Sequence, residues 1–159
     1  MSNRTLIRRI HGVAGITGML TVGTFWSVTV VTELFGSHAT VAAAKGAILW
    51  GMLILIPAMI GVGASGFTLG GKSTAPVILA KKRRMPVIAL NGLLVLVPAA
   101  FFLASRAAAG AFDRTFYLVQ AIELIAGATN LGLMSLSIRD GLAMRRRTSR
   151  MPKRHDGDA

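Results

Sequence analysis

Four long apolar segments most constrain what this chain can fold into. A membrane-spanning helix needs about 20 predominantly apolar residues, and each segment is long enough. Because a bilayer interior offers no water to the backbone, such segments must form helices that satisfy their own N–H and C=O groups. The sequence therefore predicts an all-α, four-transmembrane-helix bundle with up-down-up-down topology, formed by residues 1–147. The segments are Ile10–Phe35, Val41–Ala64, Met85–Ser105 and Phe116–Ile138, the last with a helical extension toward Met144.

The composition favours a membrane protein over a nucleic-acid-binding domain. Of the 159 residues, 53% are hydrophobic and only six are Asp or Glu. The net charge of +12 would suit a nucleic-acid partner. However, the basic residues stand in groups between the apolar segments, which is typical of membrane-flanking sequence, so we expect no nucleic acid. The chain has no cysteine, which excludes disulfides, thiolate catalysis and cysteine-ligated iron–sulfur clusters.

Lysine and arginine indicate how the helices are oriented in the membrane. Fifteen of the 18 Lys and Arg residues lie in the N-terminus, in the loop between the second and third segments, or in the C-terminal tail. We assign only Lys45, Arg106 and Arg114 to the other two connections. Because cytoplasmic loops carry an excess of positive charge, we predict that both termini and the middle loop are cytoplasmic.

The basic ends suggest contact with lipid headgroups. The middle loop ends in the run Lys81–Arg84, and residues 148–159 are polar, basic and without an apolar period. We predict that residues 148–159 form a disordered cytoplasmic tail, and that the basic groups meet anionic lipid headgroups. The first apolar segment is too long for the core of a signal peptide and is followed by no A-x-A-like cleavage site, so it is predicted to be retained.

Residues Gly66–Ser73, GFTLGGKS, match the phosphate-loop pattern G-x-x-x-x-G-K-[ST]. A phosphate loop follows a buried strand and opens a helix whose N-terminus holds the phosphates. Here the pattern follows a transmembrane helix, and the loop holds no acidic residue for magnesium. We therefore predict a Gly-rich turn at the membrane surface and no nucleotide.

Polar side chains inside the apolar segments are candidates for function, because they are costly in hydrocarbon. Glu123 lies roughly 10 Å into the fourth segment at 1.5 Å per residue, with Gln120 one turn nearer the surface. Asn91 and Asn130 lie at similar depths from the opposite side. The asparagines are expected either to join helices by hydrogen bonds or to serve a proton or ion path. Glu123 is expected either to be a protonated or hydrogen-bonded carboxyl group that faces other helices, or to handle a proton or cation.

Two prolines predict irregular helices near mid-membrane. Pro57 lies in the second segment and Pro98 in the third. Each removes one helical hydrogen bond and crowds the preceding turn, so kinks are expected. A kink can simply fit the bundle, or it can open a gap that holds a ligand.

His11 begins the first segment and shares a helix face with Gly15 and Gly18. Small residues at this spacing allow close helix packing. They would also leave a groove for a flat macrocycle beside a histidine, which is the usual protein ligand of haem iron. This predicts a haem b held by His11. Met134 is a candidate second axial ligand; a five-coordinate haem, or one shared by two His11 in a homodimer, is left open.

Three functions remain in competition. The first is a haem b protein for electron transfer or haem handling; the chain resembles small four-helix cytochromes b of bacterial inner membranes, although it lacks their several helix-borne histidines. The second is a proton-coupled carrier or channel that uses Glu123 and Gln120. The third is a non-catalytic membrane subunit that acts with a partner subunit. A bacterial inner membrane is the expected location in each case.

Overall fold

The computed structural model describes residues 3–71 and 76–150, and these form helices without any strand. Four helical stretches are long and apolar enough to cross a membrane, which confirms the predicted all-α class. The third stretch is one continuous helix made of α3, a π-helical segment and α4. The elements are α1 (Asn3–Phe35), α2 (His38–Gly70), α3 (Pro76–Asn91), the π-helical segment (Gly92–Leu96), α4 (Val97–Ala108) and α5 (Arg114–Arg150).

The helices are longer, and the connections shorter, than the apolar segments suggest. α1 begins at Asn3, before the first apolar segment, and α2 continues to Gly70. Bilayer thickness sets only the length of the apolar part, and a helix that has already formed continues at little cost into the interface. The glycine-rich turn predicted at Gly66 begins only at Gly71, and Lys72 and Ser73 of the phosphate-loop pattern lie outside the described residues.

The predicted disordered tail, residues 148–159, stays a prediction. α5 is described as far as Arg150, three residues into that range. The rest of the predicted tail, residues 151–159, lies outside the described residues.

Two tight connections define one end of the bundle, which we call the loop end. Residues 36–37 join α1 to α2, and residues 109–113 join α4 to α5. The Ser37 side chain caps α2 by accepting a hydrogen bond from the Thr40 amide at 3.2 Å. In the second connection Asp113 accepts a hydrogen bond from the Phe116 amide at 3.0 Å, and Gly110 takes a φ of 67°. Glycine adopts this left-handed conformation without steric cost.

The opposite end, which we call the basic end, is held by polar contacts. Arg84 of α3 donates to Asp140 of α5 at 2.6 Å. The Lys82 ammonium donates to the carbonyl of Gly71 at 2.6 Å, directly after the last residue of α2. A cation at the carboxyl end of a helix satisfies its last carbonyl groups and complements its dipole.

The helices form a ring in which α2 and α5 stand diagonally. α2 packs along α1 and α4, while α5 packs along α1 and the third helix. Among the described residues, no Cα of α2 lies within 8 Å of a Cα of α5. Any contact between this pair must therefore be made by long side chains that reach across the centre.

The π-helical segment breaks the regularity of the third helix just before Pro98. The amide of Val97 donates to the carbonyl of Gly92, five residues earlier. Pro98 has no N–H for the carbonyl of Leu94, and its ring crowds the preceding turn. A wider π-helical turn relieves that crowding, and such turns are frequent at functional sites.

Candidate functional site

An ion pair crosses the centre of the bundle between Lys45 of α2 and Glu123 of α5. The side chain of Lys45 is 1% exposed and that of Glu123 is 13% exposed. Assigning Lys45 to a surface connection was therefore wrong, because α2 begins at His38 and buries Lys45 two turns into the helix. The pair joins the two helices whose backbones stand apart.

A second carboxylate lies close to the same lysine. The Lys45 ammonium also donates to the hydroxyl of Thr29 on α1 at 3.4 Å. Glu33 follows Thr29 by four residues, one helical turn nearer the loop end, and lies within electrostatic range of Lys45, His38 and Glu123. Its Oε1 atom is buried and has no hydrogen-bond partner in the described part of the chain. The Lys45 ammonium therefore lies near two carboxyl groups, those of Glu33 and Glu123.

Gln120 lies one turn from Glu123 on α5 and is 4% exposed. Among the described residues, neither its amide oxygen nor its amide nitrogen has a hydrogen-bond partner. Leaving a buried polar group unsatisfied costs about 1–3 kcal/mol. Gln120 therefore offers a donor and an acceptor next to the ion pair, as the sequence pattern predicts for two residues one turn apart.

A cavity of about 330 Å³ lies in the middle of the bundle beside the ion pair. Ligand pockets in proteins usually measure about 300–1,000 Å³, so this space is large enough for a small ligand. Glu123 and Thr29 form its polar side, the rings of Phe25 and Trp26 form part of its wall, and Asn130 lines it as well. The Trp26 ring is fixed because its Nε1 donates to the carbonyl of Leu124 at 3.0 Å.

The cavity opens sideways between α2 and the π-helical segment. Ile60 of α2 and Leu93 of the π-helical segment both line the cavity, and each is 65% exposed. α2 packs against α3 and against α4, which precede and follow the π-helical segment along the same helix. Between these two contacts, no Cα atom of α2 lies within 8 Å of a Cα atom of the π-helical segment. The opening therefore faces the side of the bundle, where Pro57 and Pro98 flank it in sequence.

Apolar packing closes the loop end beyond the ion pair. Val41, Leu103 and Phe116 are buried together there with Ala107. The ring of Phe112 stacks on His38 with centroids 4.1 Å apart and meets Phe116 edge-on. In this arrangement the cavity is reached from the side rather than through the loop end.

Asn91 and Asn130 are bonded to each other at the level of the cavity nearer the basic end. The Asn91 amide donates to the Asn130 side-chain oxygen at 2.8 Å and to the carbonyl of Ala126 at 2.9 Å. Asn130 donates to the carbonyl of Ile88 at 3.3 Å. These hydrogen bonds join the third helix to α5. Joining helices in this way is one of the two roles that the sequence suggests for the asparagines.

His11 packs against α2 in the structure. Its Nδ1 lies 2.9 Å from the hydroxyl of Ser65, and its Cε1 faces the backbone at Gly66. A Cβ atom added at Gly15 would stand 3.9 Å from Val62, and one added at Gly18 would stand 3.8 Å from Met59 and Met134. The glycine face of α1 is in van der Waals contact with its neighbours, so a porphyrin here would have to move helices apart.

The residues predicted for the haem are not brought together around one point. Met134 packs beside Gly18. Gly18 lies seven residues after His11, which is roughly 10 Å along the helix. Axial ligands must face each other across one iron. The haem stays a prediction, which a Soret absorption band lost in His11→Ala would support and a colourless protein grown with haem would reject. Within residues 3–71 and 76–150, no three His, Cys, Asp or Glu side chains meet as a metal site.

Comparison with protein-family models, with curated proteins and with solved structures finds no match to this chain. The chemistry of the site must therefore be inferred from its own residues. Of these, sequence reasoning found Glu123 and Gln120 but missed Lys45. The missed signal was a pair of opposite charges at similar depth. Lys45 and Glu123 each lie within about two turns of the start of a predicted segment, and both segments start at the loop end.

Proposed function

We propose that this protein is a proton-coupled membrane carrier that uses Glu123, with Lys45 as its charge partner. The observation that carries the proposal is the position of Glu123, which pairs with Lys45 across the bundle and also lines the cavity. Because Glu123 contacts both Lys45 and the cavity, binding of a ligand in the cavity can be coupled to making or breaking the ion pair.

The energetic cost of the ion pair supports a functional role. Charged side chains within a membrane are rare, face the interior of a bundle and mark substrate or proton pathways. Breaking a buried pair by removing one partner costs about 3–5 kcal/mol, whereas a well-packed apolar pair is often as stable as the ion pair. Helix packing alone does not require charges at the positions of Lys45 and Glu123.

Several charged groups surround Glu123. Lys45 of α2 pairs with it, and Glu33 of α1 lies within electrostatic range of both. His38 lies near Glu33 at the start of α2. α4 contributes Arg106, whose partner is Asp113 at the loop end. When the pair between Glu123 and Lys45 is broken, the link between α2 and α5 is released.

The charge bias supports the orientation of the carrier. The basic end holds most Lys and Arg residues, and burying Lys45 inside α2 leaves even fewer at the loop end. We place both termini and the basic end in the cytoplasm, next to anionic headgroups, and the loop end outside. A bacterial inner membrane, which maintains a proton gradient, is the setting we propose.

Transport in liposomes tests the proposal. The purified full-length protein is reconstituted with a pH-sensitive dye inside, a pH gradient is imposed, and anionic, neutral and cationic amphiphiles are added in turn. We expect at least one class to dissipate the gradient in a protein-dependent manner, and Glu123→Gln to abolish that effect.

Asp140→Asn is the matched control, because Asp140 is a carboxylate that pairs with Arg84 at the basic end, away from the cavity. It should keep the transport of the unmodified protein. If no amphiphile of any charge dissipates the gradient, or if Glu123→Gln transports as well as the unmodified protein, the protein is not a carrier of this kind.

A further inference from the structure

We infer that the substrate is a monovalent cation with an apolar body, which enters sideways from the membrane and binds at Glu123 in exchange for one proton held at Glu33. This inference rests on the proposed carrier function and adds the class of substrate, its route and the stoichiometry. Three observations carry it: the charges around Lys45, the wall of the cavity and its lateral opening.

The charges of the site are unequal in number. Two carboxyl groups lie near one ammonium, that of Lys45: Glu123 is bonded to it, and Glu33 lies within electrostatic range of it. His38, which also lies near Glu33, is counted as neutral. With both carboxyls ionised, the site would then carry one uncompensated negative charge, which is costly away from water. Either one proton or one monovalent cation restores neutrality.

The structure shows the arrangement expected when the proton is bound. Lys45 pairs with Glu123, while Oε1 of Glu33 has no partner in the described residues. Of the two carboxyl groups, Glu33 holds the proton at the lower cost in free energy, because its protonation breaks no ion pair. Thr29 sits one turn from Glu33 and already accepts from the Lys45 ammonium, so the lysine needs to move by about one helical turn to reach Glu33.

A bound cation reverses this arrangement. Its charge takes the place of the Lys45 ammonium at Glu123, and Lys45 transfers its hydrogen bond to Glu33. The Glu33 carboxyl group then releases its O–H proton to water, so that one cation enters for each proton that leaves. All four charges remain paired and the net charge of the site stays at zero.

The cavity wall favours a cation over an anion or a neutral molecule. Trp26 and Phe25 line the same cavity as Glu123. A cation within about 6 Å of an aromatic face gains about 0.5–2 kcal/mol, and tryptophan is the best partner. The remaining lining is almost entirely aliphatic, which suits an apolar body, and the volume of about 330 Å³ falls at the small end of the range for ligand pockets.

The entrance points to a substrate that dissolves in the membrane. The opening between Ile60 and Leu93 lies on the side of the bundle, at the level of the π-helical segment. The apolar cluster of Val41, Leu103 and Phe116 closes the loop end. A water-soluble ion would have to cross hydrocarbon to reach this opening, whereas an amphiphilic cation partitions into the membrane first.

Binding and proton release test the inference directly. The probe is benzyltrimethylammonium, and its control is neopentylbenzene, which has the same shape without the charge. The full-length protein carries Trp50→Phe, because Trp50 is exposed on α2 and does not line the cavity, so that fluorescence reports on Trp26. We expect the cation to bind at least about tenfold more tightly than the neutral compound, a difference of about 1.4 kcal/mol. We also expect about one proton to appear in weakly buffered solution per bound cation.

Three variants separate the roles of the charged groups. Glu123→Gln should weaken cation binding by at least about tenfold. Glu33→Gln should abolish proton release, because no carboxyl group is left to give up a proton. Asp140→Asn is the control: its carboxylate pairs with Arg84 at the basic end, so the variant should bind the cation and release a proton as the unmodified protein does.

The outcomes distinguish this inference from the carrier function. Equal affinity for the charged and neutral probes, or cation binding without proton release, would overturn the inference. The carrier function would still stand if an anionic or neutral amphiphile dissipated the pH gradient in a Glu123-dependent manner.

Discussion

Lys45 and Glu123 form an ion pair across the diagonal of the bundle, between two helices whose Cα atoms nowhere approach within 8 Å among the described residues. The long lysine side chain spans the distance that the backbones leave open. Most membrane helices associate through small residues that let backbones touch. Here charge, not close packing, joins α2 to α5, and the space beside the pair remains as the cavity.

Stability should depend on Lys45 having at least one carboxylate. Glu123→Gln leaves Glu33 to accept from the lysine, so we expect only a modest loss. Glu33→Gln/Glu123→Gln leaves a buried ammonium without a partner, and breaking a buried pair in this way costs about 3–5 kcal/mol. Unfolding by sodium dodecyl sulfate in mixed micelles measures the loss. Additive effects of the two single changes would contradict the shared lysine, since substitution at coupled sites is not additive.

The Asn91–Asn130 hydrogen bond should make a small contribution. Interhelical hydrogen bonds in membranes average about 0.6 kcal/mol. A double-mutant cycle with Asn91→Ala and Asn130→Ala should therefore give a coupling energy near this value in the same unfolding assay. A coupling far above about 1.7 kcal/mol, the largest found in such cycles, would mean that the pair does more than join helices.

The fold class could be predicted from sequence because bilayer thickness acts directly on composition. A segment such as Val41–Ala64 is apolar over the length a bilayer needs, whatever its neighbours are. Helix ends were predicted less well, because residues after the predicted apolar segment, such as Gly66 to Gly70, still extend the helix.

The site was predicted only in part because it depends on distances between helices. Glu123 was identified since a carboxyl group in hydrocarbon needs a reason. Lys45 was missed because counting basic residues for orientation treats every lysine as a surface group. The cavity and its opening depend on α2 and the π-helical segment staying apart, and one-dimensional periodicity does not encode that separation.

Gly51 and Gly46 of α2 provide a matched pair of substitutions. A Cβ atom at position 51 would overlap the ring of Phe25, whereas one at position 46 would have no neighbour within 4 Å. Gly51→Ala should therefore cost about 1–3 kcal/mol through overpacking. Gly46→Ala should be neutral or stabilise the helix by roughly 0.5–1 kcal/mol. Thermal unfolding in detergent compares the two; equal effects would show that Phe25 does not pack on Gly51.

Asp113 should make the start of α5 sensitive to acid. The hydrogen bond from the Phe116 amide, and then the ion pair with Arg106, hold the pKa of Asp113 below its ordinary value. Because the pKa of Asp113 is lower in the folded protein, the stabilisation by these two contacts is fully present above the unfolded aspartate pKa of about 3.9. It is lost as the pH falls through the lower folded value, when the carboxylate takes a proton. The Phe116 amide should then exchange with deuterium faster, after correction for the intrinsic effect of pH on exchange.

Asp113→Asn separates the charge from the cap in this experiment. Asparagine keeps a side-chain oxygen that can accept from the Phe116 amide, and it is an equally good residue at the start of a helix. It cannot titrate, so protection of the Phe116 amide should no longer change between about pH 6 and pH 3, the range around the unfolded aspartate pKa. Because Asp113 is exposed, the wild-type dependence should also weaken in high salt, which screens its attraction to Arg106. The same acid dependence in both proteins would place the titrating group elsewhere.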